Sequence, residues 1–218
     1  MPLNFSQKIP FFRWIVPGEL AASAMPFSIQ EIKDSGIDIV VSLVPDSEQA
    51  FHQGTRLERA RKSGLIFHTI AIPELQAPTK HQLAYFLRIM AEARAGTPKK
   101  VLIHCVGGVG RAGTMAAAYL IARKGVFLEK AYKIIIEGLR RAQFDALASN
   151  PKFIEKLRKE GKNPRDFFES LKVHFPESPE QERFLLQAEK RFLVFSRNNA
   201  HENIKPKKRL KRKPRRPK

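Results

Sequence analysis

The sequence predicts an α/β fold built on a single, mainly parallel central sheet flanked by helices, and three observations carry that prediction. Strand-like and helix-like stretches alternate along the chain, the order expected when helical crossovers join parallel strands. Ile37-Asp38-Ile39-Val40-Val41-Ser42-Leu43-Val44 is a β-branched, nearly continuous apolar run, suited to a strand covered on both faces. Val101-Leu102-Ile103-His104 then passes through a glycine-rich loop directly into small-residue helical sequence. With 218 residues, 43% of them hydrophobic, the chain has material for one cored domain and some additions.

Arg13 to Val16 and Glu19 to Ala22 flank the turn dipeptide Pro17-Gly18 and predict two short strands. Lys8 ahead of apolar sequence and Ala22-Ser23-Ala24 imitate a secretory leader. Arg13, Pro17 and Glu19 interrupt its apolar part, so the stretch is expected to be folded sequence. Ser28 is placed to cap a short helix over 29–34 that Gly36 ends, and the run Ile37 to Val44 follows as a strand. Residues 47–62 are polar, with Phe51, Leu57 and Ala60 loosely spaced, and Leu65 to Ile72 alternates as a strand. Thr79-Lys80-His81-Gln82 is a capping box, and Leu83, Phe86, Leu87 and Met90 recur at helical spacing, predicting a helix over about 79–95.

Gly96-Thr97-Pro98 breaks that helix, and Lys100 to His104 returns to the sheet. Ala112 to Lys124 holds three consecutive alanines and stops at Gly125, as a closely packed helix would. Leu128, Tyr132, Ile135 and Leu139 give the next amphipathic helix. Asn150-Pro151 and Asn163-Pro164 are two helix starts with the same grammar, an N-cap followed by proline at N1. Phe153, Ile154, Leu157, Phe167, Phe168 and Leu171 give these short helices something to bury. Ser178 caps a last helix whose expected buried stripe is Phe184, Ala188, Phe192 and Phe195.

The chemistry concentrates in residues 101–114. Cys105, the only cysteine, stands where strand turns into helix, and Gly107, Gly108 and Gly110 let the backbone curl with its N–H groups inward. Such a concavity binds anions and is reinforced by the helix N-terminus. A thiol attacks only as thiolate, a form favoured beside helix N-termini and cations. Arg111 can clamp two oxygens of a phosphate at once. One loop thus offers a nucleophile, an oxyanion cradle and a charge clamp.

His104-Cys105-x5-Arg111 resembles the His-Cys-x5-Arg signature of the cysteine-based protein tyrosine phosphatases, and the string through Gly113-Thr114 is closest to the small archaeal and atypical dual-specificity members. The opening strands resemble those of the archaeal-type enzymes. That resemblance implies a protein tyrosine phosphatase-like fold and hydrolysis of phosphomonoesters through a phosphocysteine, with Cys105 as nucleophile and Arg111 as clamp. His104 orders the loop, and Val106, Gly107, Gly108, Val109 and Gly110 bind the phosphate. No cofactor is expected, and no metal either, since His52, His68, His81, His174 and His201 show no metal-ligand spacing. The family's general acid is an Asp after Pro; the matching segment is Ile72-Pro73-Glu74-Leu75, which makes Glu74 the candidate. Asp46 and Glu48 on the same rim are alternative acids, though negative charge at a helix N-terminus explains them as well. Ala112 stands where the family has a hydroxyl that helps the thiolate leave, as in the phosphatases of regenerating liver. The family's Arg-Pro-Gly is absent after Arg140-Arg141, and family-like sequence resumes at Pro176-Glu177-Ser178-Pro179-Glu180-Gln181. Residues 1–196 are therefore expected to form the phosphatase-like domain, with a helical insertion over about 142–175 that serves as a lid or as packed decoration.

The uncharged residues between Cys105 and Arg111 favour a phosphoprotein substrate over a phosphoinositide. Net charge is +19, and residues 205–218 hold ten Lys or Arg and no acid, punctuated by prolines. Residues 197–218 read as a disordered basic tail, and Lys205 to Lys218 as a surface for a polyanion, nucleic acid or anionic membrane, or simply a solubilising one. A lone cysteine excludes an internal disulfide framework, and a thiolate enzyme needs reducing surroundings. The expected location is cytoplasmic, or nuclear in a eukaryotic host. No apolar run reaches the roughly 18 residues of a spanning helix. Two other functions stay open: a catalytically weak phosphate-binding module, and an RNA 5′-phosphatase.

Overall fold

The computed structural model describes residues 9–26, 28–49 and 63–194. Strand β1, Arg13–Val16, turns through Pro17 and Gly18 into the antiparallel β2, Leu20–Ser23. The pair joins the sheet through β2, in the order β1-β2-β5-β3-β4, and the other three pairings are parallel. Strands β3 (Ile39–Ser42) and β5 (Val101–His104) are buried along their whole length, as their unbroken apolar runs require. Strand β4, Ile66–Thr69, is the partly exposed edge.

Side chains alternate across the sheet into two cores. Ala21, Val40 and Leu102 join Ile9, Ile32, Ile37 and Leu65 on the side of α1, Ile29–Asp34. Leu20, Ala22, Ile39, Val41, Val101 and Ile103 face the larger core. That core is built with α3 (Lys80–Glu92), α4 (Gly110–Lys124), α5 (Leu128–Ala148) and α8 (Pro179–Glu189). The short α2, Asp46–Gln49, follows β3. Among the described residues, no helix is long and apolar enough to cross a membrane.

The predicted caps form. The Thr79 side chain accepts from Gln82 N and the Gln82 side chain accepts from Thr79 N, completing the box that starts α3. Gly125 closes α4 at φ 63, and Ser28 and Ser178 accept from the first turns of α1 and α8. The alanine run of α4 is fully buried, and Gly113 lies so near Phe175 that an added Cβ would come within 2.6 Å of its ring.

Helix α5 runs unbroken to Ala148, into the stretch expected as an insertion, because Ala142, Phe144 and Ala148 continue its buried face. The two Asn-Pro starts then form α6, Pro151–Lys159, and α7, Pro164–Ser170, each with the Asn side chain accepting from the first turn. They pack through Phe153 on Phe167, Phe144 on Phe168, and buried Leu157. In α8 the buried residues are Gln181, Leu185 and Ala188, while Phe184 and Phe192 are half-buried, so the stripe is rotated from the predicted one. The polar Gln181 takes the innermost first-turn position, which apolar counting passes over. Phe195, residues 50–62 and the basic stretch from Lys205 to Lys218 lie outside the described residues.

Candidate active site

The register places Ser23, His104 and Ser42 side by side at the carboxyl ends of β2, β5 and β3. Ligands of open α/β sheets bind at that edge. Cys105 follows at once, with only 3% of its surface exposed, and Gly108 N donates to its Sγ at 3.1 Å. Gly108 has φ +76, and a Cβ there would lie 2.5 Å from Ala24 N and 2.7 Å from the Ser23 carbonyl carbon. Only glycine fits. Met25 N donates to the Val106 carbonyl at 3.0 Å, tying the loop to the chain that leaves β2. The His104 ring approaches the Cys105 carbonyl at 3.4 Å, consistent with its ordering the loop.

Helix α4 starts at Gly110 with Val109 at its N-cap and no side-chain cap. Its first amides are left for another acceptor, and the macrodipole makes that end electropositive. Arg111 is 4% exposed; its Nη1 donates to Glu48 Oε2 at 2.8 Å and to the Ile72 carbonyl at 3.0 Å. Glu48 thus serves as the ion-pair partner of Arg111, which displaces it from the role of alternative acid. Asp46 is an exposed residue in the first turn of α2.

Glu74 is exposed on the turn closed by Gln76 N donating to the Pro73 carbonyl. Leu75 beside it has φ 60, a left-handed conformation that a non-glycine residue holds only when its surroundings enforce it. Here the Ser178 hydroxyl donates to the Leu75 carbonyl at 2.6 Å, and Gln181 Nε2 reaches the Gln76 carbonyl at 3.5 Å. The side-chain Oε1 of Gln181 in turn accepts from Glu177 N at 2.9 Å. The Glu177 carboxylate accepts from Gly110 N and lies near both Arg111 and Glu74. An added Cβ at Gly110 would collide with Glu177 Oε2. Partial desolvation pushes the Glu177 carboxyl above the ordinary range; Gly110 N–H and Arg111 oppose the shift, and Glu74 adds to it.

The structure therefore gathers Cys105, His104, the 106–110 loop and Arg111 into one cluster at the carboxyl edge of the sheet, with Glu74 on an adjoining turn. Three further groups belong to it. Glu177 and Gln181 stand in the segment that resembles the family, and their spacing from Ser178 was the available signal. Arg13 was legible only as a charge at an inward position of β1, whose side chains alternate buried and half-buried. It is 6% exposed, and its Nη2 donates to the Gly108 carbonyl at 2.6 Å. Among the described residues no cluster of His, Cys, Asp or Glu is arranged to hold a metal ion.

Residues 9–149 match the family model described as "PTP-SAK: Swiss Army Knife protein, DSP-PTPase phosphatase domain". Dual specificity protein phosphatase 12 of Mus musculus is 31% identical over 121 residues, which are 54% of this chain and 32% of that protein. The chain thus spans about a third of that relative's length. The structure of Tk-PTP in the active form is 30% identical, with a TM-score of 0.56 over 84% of this chain and 98% of the other. PTPMT1 matches with a TM-score of 0.58 at 18% identity, over 86% and 99% of the two chains, a likeness of fold. A cysteine at the strand end, a glycine loop and an arginine in the first turn of the following helix agree with these matches, and the chain belongs to the dual-specificity branch of the cysteine-based protein tyrosine phosphatase superfamily.

Proposed function

We propose that the chain hydrolyses phosphomonoesters of protein substrates through a phosphocysteine on Cys105. The observation that carries this is the buried Cys105 Sγ, held by Gly108 N–H at 3.1 Å on the loop that leads into the N-terminus of α4. In the first step the thiolate attacks phosphorus, the S–P bond forms and the P–O bond to the leaving group breaks. Glu74 gives its proton to the departing oxygen. In the second step water attacks phosphorus and gives a proton to the Glu74 carboxylate. The S–P bond breaks, and its electron pair returns to sulfur as inorganic phosphate leaves. With Arg111 Nη1 held by Glu48 and Ile72, Nη2 and Nε are the donors for the phosphate oxygens.

Tyrosine or dual specificity is supported by the family. A phosphoprotein rather than a phosphoinositide is supported by the uncharged side chains of residues 106–110. Steady-state hydrolysis of an aryl phosphate is the direct test. Cys105→Ser is expected to abolish it, and Glu74→Gln to lower kcat on the order of 10²-fold. Wild type no faster than Cys105→Ser overturns the proposal. A stable phosphocysteine without turnover favours the phosphate-binding module, a reading that Ala112 and the longer reach of Glu74 motivate.

A further inference from the structure

Arg13 is a cation in a place that disfavours one. Its side chain enters the large core from β1 and passes so close to Gly138 of α5 that an added Cβ there would touch Arg13 Cδ at 3.1 Å. Nη1 donates to the Phe11 carbonyl at 3.1 Å and Nη2 to the Gly108 carbonyl at 2.6 Å, and among the described residues Nε has no partner. Among the described residues no carboxylate pairs with it. A buried guanidinium without a counter-ion is strongly disfavoured. Phe11, whose carbonyl accepts from Nη1, has φ 54. Burial pushes Arg13 down to about 10, and the Cys105 sulfur is the charge that works against that shift. It therefore remains protonated at neutral pH.

We propose that Arg13 is the buried counter-ion of the Cys105 thiolate and the residue that sets the conformation of its loop, a positioning residue acting through both. The two actions share one contact. A trans peptide points its C=O and N–H in opposite directions. With the Gly108 carbonyl drawn to Arg13, the Val109 N–H is aimed the other way, while Gly108's own N–H rests on Sγ. Arg13 meets the loop at Gly108, and among the described residues the other charged or titratable groups held against the same loop and the start of α4 are His104 at the end of β5, Arg111 in α4, and Glu177 against Gly110. Ala112 offers the departing sulfur no hydroxyl, so Arg13 supplies the stabilisation that a hydroxyl would give there. When water cleaves the phosphocysteine, the electron pair of the S–P bond comes to rest on a sulfur already facing a fixed cation.

The inference rests on Cys105 being the nucleophile, and its test does not require turnover. Because the chain has one cysteine, alkylation by iodoacetamide as a function of pH, or ultraviolet thiolate absorbance, titrates that group alone. Arg13→Met is expected to move the midpoint upward by about one pH unit or more, the size of effect that an adjacent opposite charge exerts. Arg13→Lys, which keeps the charge and loses the fork, is expected to recover more than half of that shift. A folded Arg13→Met protein with the wild-type midpoint overturns the proposal. Should Arg13→Met not fold, the native protein still decides, since a wild-type midpoint at or above the ~8.5 of a free thiol overturns it as well. Absence of aryl phosphate hydrolysis alongside a shifted midpoint would count against the phosphatase proposal and leave this one standing.

Discussion

Single side chains set the electrostatics of the site. Glu177 accepts from the first amide of α4, and its proton is held more tightly than usual because the group is partly desolvated, with Glu74 adding to the shift. Its charge therefore develops at higher pH than that of an ordinary Glu. Below its titration the neutral carboxyl spares an incoming anion repulsion; above it, the carboxylate competes for Gly110 N–H and Arg111. Glu177→Gln is expected to bind inorganic phosphate severalfold more tightly than wild type at neutral and alkaline pH, a screened Coulomb effect. The difference should shrink as pH falls through the Glu177 titration. Competitive inhibition by phosphate across pH measures it; a ratio of the two inhibition constants that does not change with pH contradicts the assignment.

At the scale of elements, the N-terminus of α8 works as a bracket. Ser178 caps its own helix through Gln181 N at 3.2 Å and holds the Leu75 carbonyl through its hydroxyl at 2.6 Å, so one side chain both starts a helix and fixes the turn that carries Glu74. Ser178→Ala removes the cap and leaves the turn without its anchor. It is expected to destabilise the protein by about 1 kcal/mol, the usual worth of an N-cap, measured by denaturant unfolding. It should also lower kcat more for substrates with poor leaving groups than for good ones, because those depend most on a well-placed acid. Equal losses across leaving groups would show that Ser178 does not position Glu74.

At the scale of the whole molecule, charge is unevenly spread along the sequence. The net charge is +19, and ten of the cations fall within residues 205–218, leaving about +9 for the rest of the chain. We propose that this segment gives the enzyme a salt-dependent affinity for polyanions that is independent of its chemistry. Removing residues 205–218 is expected to leave aryl phosphate turnover unchanged. It should weaken binding to single-stranded RNA and flatten its dependence on salt, since each phosphate contact contributes about 0.7 to that slope. Unchanged RNA affinity in the truncated chain would remove the motive for a nucleic-acid role, the RNA 5′-phosphatase reading included.

The sequence by itself determined the α/β class, the order and type of most described elements, the caps of α1, α3 and α8, and the loop from Cys105 to Arg111. All of these depend on groups within a few positions of one another: a hydroxyl reaching a first-turn amide, a glycine taking a left-handed φ, an apolar run wanting two covered faces. The tertiary structure alone decided which distant groups complete the site. Arg13 meets Gly108 across 95 positions, Glu48 meets Arg111 across 63, and Ser178 meets Leu75 across 103. Nothing local marks those pairings, because a charge on a short strand looks the same whether it faces solvent or the core. Only packing β1 against the loop and against Gly138 of α5 takes the water away from Arg13 and brings it to the Gly108 carbonyl.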